Sequence, residues 1–365
     1  MDLRELFFIS LGAAVVVYYG VKLLLFSRML FPKMWFPVSK SFFTSMGEWA
    51  VVTGASEGIG RAYAFVLAEQ GMNVVIMSRT KVTLDQVAKE IGDTTGQRVK
   101  VIVTDFIKEN IFSEIEDELR DLNIGVLGWT FFILPFRLKH LFTHQMQDKG
   151  NYRKQQCLLI PPLCNWIFLS TPVNNVGLLP SFIPCKFLDC AELDQTIAKV
   201  INCNVKTMAK MCKIILPGME KRGKGVIVNI SSGVASIPFP LYTLYTASKV
   251  FVERFSQGLQ AEYKGIIIQA VAPFGVSTRM AAYQQTGGVT FSPEDFVKSA
   301  LQYLRAGDKT HGSICHIVLG WLLQSIPLKI LHAESMLHKL QDYVKKKLTQ
   351  KASISASRAT FENVL

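Results

Sequence analysis

From Leu6 to Val21 the chain carries no charged residue, and after Lys22 the apolar run resumes as Leu-Leu-Leu-Phe up to Ser27. A lysine this close to the end of such a run can snorkel to the headgroups, so residues 6–27 match the roughly 20 residues needed to cross a bilayer. The expectation is a membrane anchor within 1–30. A cleaved signal peptide and a buried hairpin are the rivals; the signal peptide is opposed by the acidic start (Asp2, Glu5) and by Lys22, Arg28, Lys33 and Lys40, which follow the run. By the positive-inside rule the same asymmetry leaves the main domain on the cytosolic side.

Beyond residue 45 the pattern changes to short apolar runs separated by amphipathic stretches. "WAVVT" (49–53), "VVIMS" (74–78), "VKVIV" (99–103) and "GVIVNI" (225–230) suit strands covered on both faces. Their alternation with helical stretches predicts an α/β fold, a doubly wound parallel sheet with helices on both faces, over one domain at 45–310. Residues 311–365 form a C-terminal region with an apolar segment, "SICHIVLGWLLQSIPLKIL" (313–331), and a basic tail containing "KKKLTQK". The apolar segment fits a pocket wall, a membrane contact or a core helix; the tail reads as a solvated helix end.

One strand is interrupted. "NIGVL" (123–127) leads toward a functional turn, but the expected "VNNVG" arrives only at 173–177. Removing the 45 residues from 128 to 172 restores "NIGVLVNNVG", one apolar strand running into an asparagine turn. Three readings compete for the insert. A metal module from His140, His144, Cys157 and Cys164 has wide cysteine spacing and is set aside, so no metal is expected. A lid loop would enter at an exposed turn more readily than in a central strand. A translated intron suits both edges: Gly128 can be split before a donor GT, and Pro172 as CCA followed by the G of Val173 forms an AG acceptor. The third reading is preferred. Broken sheet pairing then predicts a less stable or less active chain than one without the insert. If "CNWIFLSTP" supplied the strand, Pro172 would remove a backbone donor before the turn.

The formal charge of +12 suits an anionic partner such as phospholipid or a phosphorylated cofactor. The insert supplies about +4 of it, from Arg137, Lys139, Lys149, Arg153 and Lys154 against Asp148. The basic residues are scattered, which argues against nucleic acid. Seven cysteines without a CxxC pair read as reduced thiols facing the cytosol.

The chemistry sits at the strand ends. After Thr53 come Gly54, Gly58 and Gly60. Gly54 permits a tight turn, Gly58 admits a phosphate close to the backbone, and Gly60 lets the following helix pack on the strand, its N-terminus facing negative charge. The second strand ends in Ser78 and Arg79, where an NAD site usually carries Asp or Glu; an arginine matches the 2′-phosphate of NADPH. Asp105 closes the third strand, where ligands of open sheets collect. Farther on, "YTASK" places Lys249 four residues after Tyr245 on one helix face. A neighbouring cation there is expected to bring the phenol down from about 10 toward the working range.

"TGASEGIG", "NNVG", "NISSG" and "YTASK", in this order and spacing, resemble the short-chain dehydrogenase/reductases, with their Rossmann-type fold. The resemblance implies that Ser232 orients the substrate carbonyl, Tyr245 exchanges the proton, Lys249 holds the nicotinamide ribose, and Asn204 supports a proton-relay water. It also implies cofactor contacts from Gly54, Ser56, Gly58, Ile59, Gly60, Arg79, Asp105, Asn174, Tyr245, Lys249 and Val276. Asn175 and Gly177 complete the asparagine turn. "PFGVST" (273–278) resembles the segment over the nicotinamide but has Phe274 where many members carry glycine. Within the family, "KSFFTSMGEWAVVTGASEGIG", "VNNVGLLPSFIP" and "PLYTLYTASK" are similar to the microsomal 17β-hydroxysteroid dehydrogenases, nearest the testicular type 3 branch. That likeness implies NADPH-driven reduction of a 17-ketosteroid, androstenedione to testosterone, at the endoplasmic reticulum membrane. A sister branch implies 3-ketoacyl-CoA reduction in fatty-acid elongation. A catalytically impaired scaffold that binds only dinucleotide or partners is a third expectation, and a homodimer is left open.

Overall fold

The computed structural model describes residues 2–39, 41–129, 178–181, 183–278 and 286–346. The first helix, α1 (Leu3–Leu30), runs for 28 residues with its apolar side chains uncovered. At 1.5 Å per residue it is about 42 Å long, more than a hydrocarbon core needs. It is apolar and long enough to cross a membrane, and none of its most apolar stretch is buried. Two short helices follow, α2 (Pro32–Trp35) and α3 (Phe42–Met46).

The apolar runs then form strands β1 (Trp49–Thr53), β2 (Asn73–Ser78), β3 (Val99–Val103) and β4 (Ile124–Trp129). Between them lie α4 (Gly58–Glu69), α5 (Lys81–Thr95) and α6 (Phe112–Leu119). The second half contains α7 (Leu193–Ile201), α8 (Thr207–Arg222), β5 (Val226–Ile230), α9 (Thr243–Glu262) and β6 (Ile267–Val271). It closes with α10 (Pro293–Ala300), β7 (Lys309–Thr310), α11 (Ile314–Ser325), α12 (Leu328–Leu331) and a helix over 334–346.

All seven strands are parallel, in the order β3-β2-β1-β4-β5-β6-β7. The expected fold class is therefore the observed one. α4 packs on α5 and α10, while α8 packs on α6 and β4, and α9 on β5 and β6. β1 and β5 are buried at every position, which is why both read as unbroken apolar runs. The strand order reverses between β1 and β4, so a crevice opens at the carboxyl ends of these strands.

At the interrupted strand, "IGVL" keeps its place and the chain continues through Gly128 and Trp129. Gly128 pairs with Val52 on one side and Val228 on the other, and Trp129 pairs with Asn229. The first two residues of the insert thus occupy positions that Val173 and Asn174 would take in the uninterrupted strand. The rest of the insert, with His140, His144, Cys157, Cys164 and Pro172, lies outside the described residues, as do Asn174, Asn175 and Gly177.

Candidate active site

The catalytic half is built by one face of α9 against the end of β5. Tyr245, Lys249, Glu253 and Ser256 recur at spacings of three and four, so they share a helix face, and all are buried. Backbone and side-chain bonds fasten that face to the strand. Ser231 Oγ donates to the Lys249 carbonyl and to Glu253 Oε1, both at 3.0 Å, and Asn229 Nδ2 donates to Ser256 Oγ at 2.9 Å. Glu253 in turn takes Lys309 at 2.7 Å, tying α9 to β7. Sequence reading missed Ser231, Asn229, Glu253 and Lys309 as supports. The polar residues recurring on the Tyr245 face of the helix were the available signal.

Lys249 Nζ stands 5.7 Å from the centroid of the Tyr245 ring and donates to the Ile230 carbonyl at 3.2 Å. The expectation that it lowers the phenol's pKa is not met. Burial pushes the Tyr245 phenol above its ordinary value of 10, with Ser232 offsetting part of the rise, and burial also brings the Lys249 ammonium down to about 7. Removing both groups from water penalises the charged form of each. The resting phenol is therefore protonated, and the lysine's charge is held less firmly than in water.

Ser232 Oγ is wholly buried without a made hydrogen bond, although it lies near enough to Tyr245 to hold the phenol's proton affinity down. A buried hydroxyl in that condition wants an acceptor. Tyr242, which sequence reading passed over, is also buried with an unpartnered hydroxyl, and packs with Leu179, Val234 and Tyr245.

Asn204 lies in a π-helical turn, Asn202–Lys206, between α7 and α8; such turns cluster at functional sites. Its Oδ1 accepts from the Leu178 N–H at 2.7 Å, and its Nδ2 donates to the Leu178 carbonyl and Ser248 Oγ at 3.3 and 2.9 Å. The side chain expected to hold a water thus clasps the chain that follows the asparagine turn. Residue spacing gave no signal for this clasp, because Leu178 and Asn204 meet only through the fold.

At the nucleotide end, Gly54 and Gly58 have φ of 61° and 63°, the left-handed region that glycine enters without strain. α4 starts at Gly58, and Glu57 makes no side-chain cap. The first helical bond runs from Arg61 N–H to the Glu57 carbonyl, so the Gly58, Ile59 and Gly60 N–H groups precede it, where an anion binds. The Ile59 side chain itself is in the core. Ser78 Oγ donates to Ser56 Oγ at 3.0 Å, joining the glycine turn to the end of β2. Arg79 follows, half-buried and with no ion pair among the described residues. Asp105 Oδ1 accepts from the Ile107 N–H at 3.2 Å. Val276 is buried and bridges to Phe291.

Phe274 explains its own departure from the family pattern. Its ring is buried among Ile237, Leu319, Leu323 and Leu331, and touches His311 and His316. A Cβ at Gly233 would come within 2.5 Å of that ring. The large side chain is thus accommodated by a glycine next to Ser232 and by the inner face of α11.

Two clefts of similar size lie among the described residues. One of about 480 Å³ is bounded by Lys100, Glu114 and Glu118 beside β3 and α6. Another of about 510 Å³ runs between the loop 235–240, which follows Ser232, and the Thr243, Thr246, Ala247 and Val250 side of α9.

The site is that of a short-chain dehydrogenase, and the comparisons agree: the short chain dehydrogenase family model matches residues 48–126 and 168–287. The chain belongs to this family of oxidoreductases. It is 48% identical over 347 residues to 17-beta-hydroxysteroid dehydrogenase type 3 of Danio rerio, covering 94% of this chain and 98% of that protein. It is 40% identical over 285 residues to the very-long-chain 3-oxoacyl-CoA reductase of Anas platyrhynchos, covering 77% of each. Among solved structures, a short-chain dehydrogenase from Sphingobium yanoikuyae in complex with NADPH superposes with a TM-score of 0.55 at 24% identity, covering 76% of this chain and 96% of that one. The likeness to the type 3 branch read from the sequence strings is borne out.

Proposed function

We propose that this chain reduces a 17-ketosteroid to the 17β-hydroxysteroid, androstenedione to testosterone, with NADPH as reductant. Its catalytic domain is held by α1 on the cytosolic side of the endoplasmic reticulum membrane. The observation that carries the chemistry is the buried Ser232 hydroxyl without a partner beside the protonated Tyr245 phenol. A ketone oxygen accepts from both.

The residues present fit the cofactor: the φ-positive glycine turn, the first turn of α4 and Arg79 suit its phosphates. Gly54, Ser56, Gly58, Ile59, Gly60 and Arg79 hold the nucleotide, with Asp105 and Val276 at the crevice, and Asn174, outside the described residues, keeps the cofactor contact that the family resemblance implies. NADPH, when bound, supplies the hydride. Ser232 orients the ketone oxygen and Tyr245 donates its phenolic proton to it. A phenol kept protonated by burial suits the reductive direction, and Lys249, one helical turn away, would hold the nicotinamide ribose and, when charged, stabilise the phenolate left behind. Asn204 keeps the chain at Leu178 against the catalytic helix and in this reading supports the relay water.

The likeness at 48% to a type 3 relative supports the steroid. The runner-up, 3-ketoacyl-CoA reduction, is supported by the 40% relative. Full-length protein in vesicles, supplied with NADPH and each ketone in turn, separates them: faster turnover of the acyl-CoA removes the steroid reading.

We further read 128–172 as a translated intron. The family match stops at 126 and resumes at 168, and removing the stretch joins two halves of one strand. The interruption is also what supports the impaired scaffold as a third reading.

A further inference from the structure

The apolar segment near the C-terminus has a surface the reaction does not use. α11 turns His316, Ile317, Leu319, Gly320 and Leu323 inward. Ile314, Val318, Trp321 and Leu322 point outward, with Trp321 65% exposed. These four positions recur at i, i+4, i+7 and i+8, a single helix face. Leu328 and Ile330 of α12 extend the exposed surface. No Lys, Arg, Asp or Glu lies between Lys309 and Lys329. A helix exposed to water carries charge on its outer face, whereas an uncharged outer face bearing tryptophan suits the boundary between headgroups and acyl chains.

The membrane anchor roots beside this surface. α1 ends at Leu30, and α2 begins at Pro32, which is buried, and packs on Leu301–Tyr303. The Tyr303 phenol is within electrostatic reach of the Cys315 thiol in the first turn of α11. We propose that the outer face of α11 and α12 lies in the surface of the bilayer that α1 crosses, as a second membrane contact beside the anchor. Lys329 sits at the border of the patch, where its ammonium reaches anionic headgroups. The inner face of the same helices packs on Phe274 and Ile237, two loop residues near Ser232. The catalytic loop is thereby held next to the medium in which an apolar ketone dissolves. The proposal rests on the anchor reading, and its test separates the two.

The test places p-benzoylphenylalanine in turn at Trp321, at Val318, at Val16 of α1 and at Lys89, an exposed residue of α5. The full chain is reconstituted in phosphatidylcholine–phosphatidylserine vesicles and irradiated. The expected result is a phospholipid adduct at Trp321 and Val318, roughly tenfold above that at Lys89. Val16 reports the anchor alone. Adducts at Val16 without any at Trp321 and Val318 overturn the second contact and leave the anchor standing. Adducts at Trp321 and Val318 without one at Val16 do the reverse. An adduct between Trp321 and a second copy of the chain assigns the face to self-association and also overturns the proposal.

Discussion

Lys249 Nζ lies 5.7 Å from the centroid of the Tyr245 ring, and its hydrogen bond goes to the Ile230 carbonyl. The lysine is therefore placed by the end of β5, while the phenol is governed by burial and by Ser232. Proton donation then depends on a phenol that stays protonated until a ketone accepts from it.

Replacing Tyr245 with Phe leaves the packing with Leu179, Val234 and Tyr242 but removes the proton donor. Turnover should fall by about 10²–10⁴-fold, the usual worth of general acid catalysis. NADPH affinity, measured by fluorescence titration, should stay within a few-fold. Retained turnover ends the role.

Stability without cofactor should depend on pH through two sets of groups. His311 and His316 are held by burial at about 4 against an ordinary 6.5, so between pH 4 and 6.5 the unfolded chain binds protons that the folded one does not. Stability is lost as pH falls through that window. Lys249 is held at about 7 against 10.5, so stability rises as pH increases above 7. The rise is about 1.4 kcal/mol per pH unit for a single proton. Buried Cys203, Cys212 and Tyr245, all raised, reverse the sign above about pH 9. Melting temperatures from pH 4 to 8.5 check both limbs, and Lys249→Met should flatten only the upper one.

Phe274→Ala should cost about 3–5 kcal/mol, because the ring fills the space between Gly233 and α11. Urea denaturation gives the loss. Proteolysis within 313–331 should quicken as well, since the inner face of α11 loses its main partner.

Arg79→Glu should shift preference from NADPH toward NADH, read as the ratio of kcat/KM values for the two. The carboxylate repels a 2′-phosphate and accepts from a ribose hydroxyl. An unchanged ratio would remove Arg79 from the cofactor argument.

Deleting 128–172 should stabilise the chain by about 2 kcal/mol, since Val173 then takes the buried place of Gly128 in β4. A Cβ there meets Val52 Cγ2 at 3.7 Å, an ordinary contact. Ketosteroid reduction per folded molecule should rise with it; equal turnover of the two forms defeats the prediction.

What the chain determined by itself was whatever neighbours in sequence suffice to specify. The doubly wound sheet follows from apolar runs alternating with amphipathic stretches, and the glycine turn from its place between β1 and α4. The pairing of Tyr245 with Lys249 follows from helical period alone, and the interruption in β4 shows as a strand that stops before its turn. The tertiary structure decided what depends on residues brought from afar. Asn204 meets Leu178, Phe274 meets Gly233, and Glu253 meets Lys309 only after the strands are ordered. The sign of the Tyr245 and Lys249 shifts was likewise beyond local reading. Spacing says that two groups are close, but the loss of water around them, which the whole fold imposes, sets which protonation state is favoured.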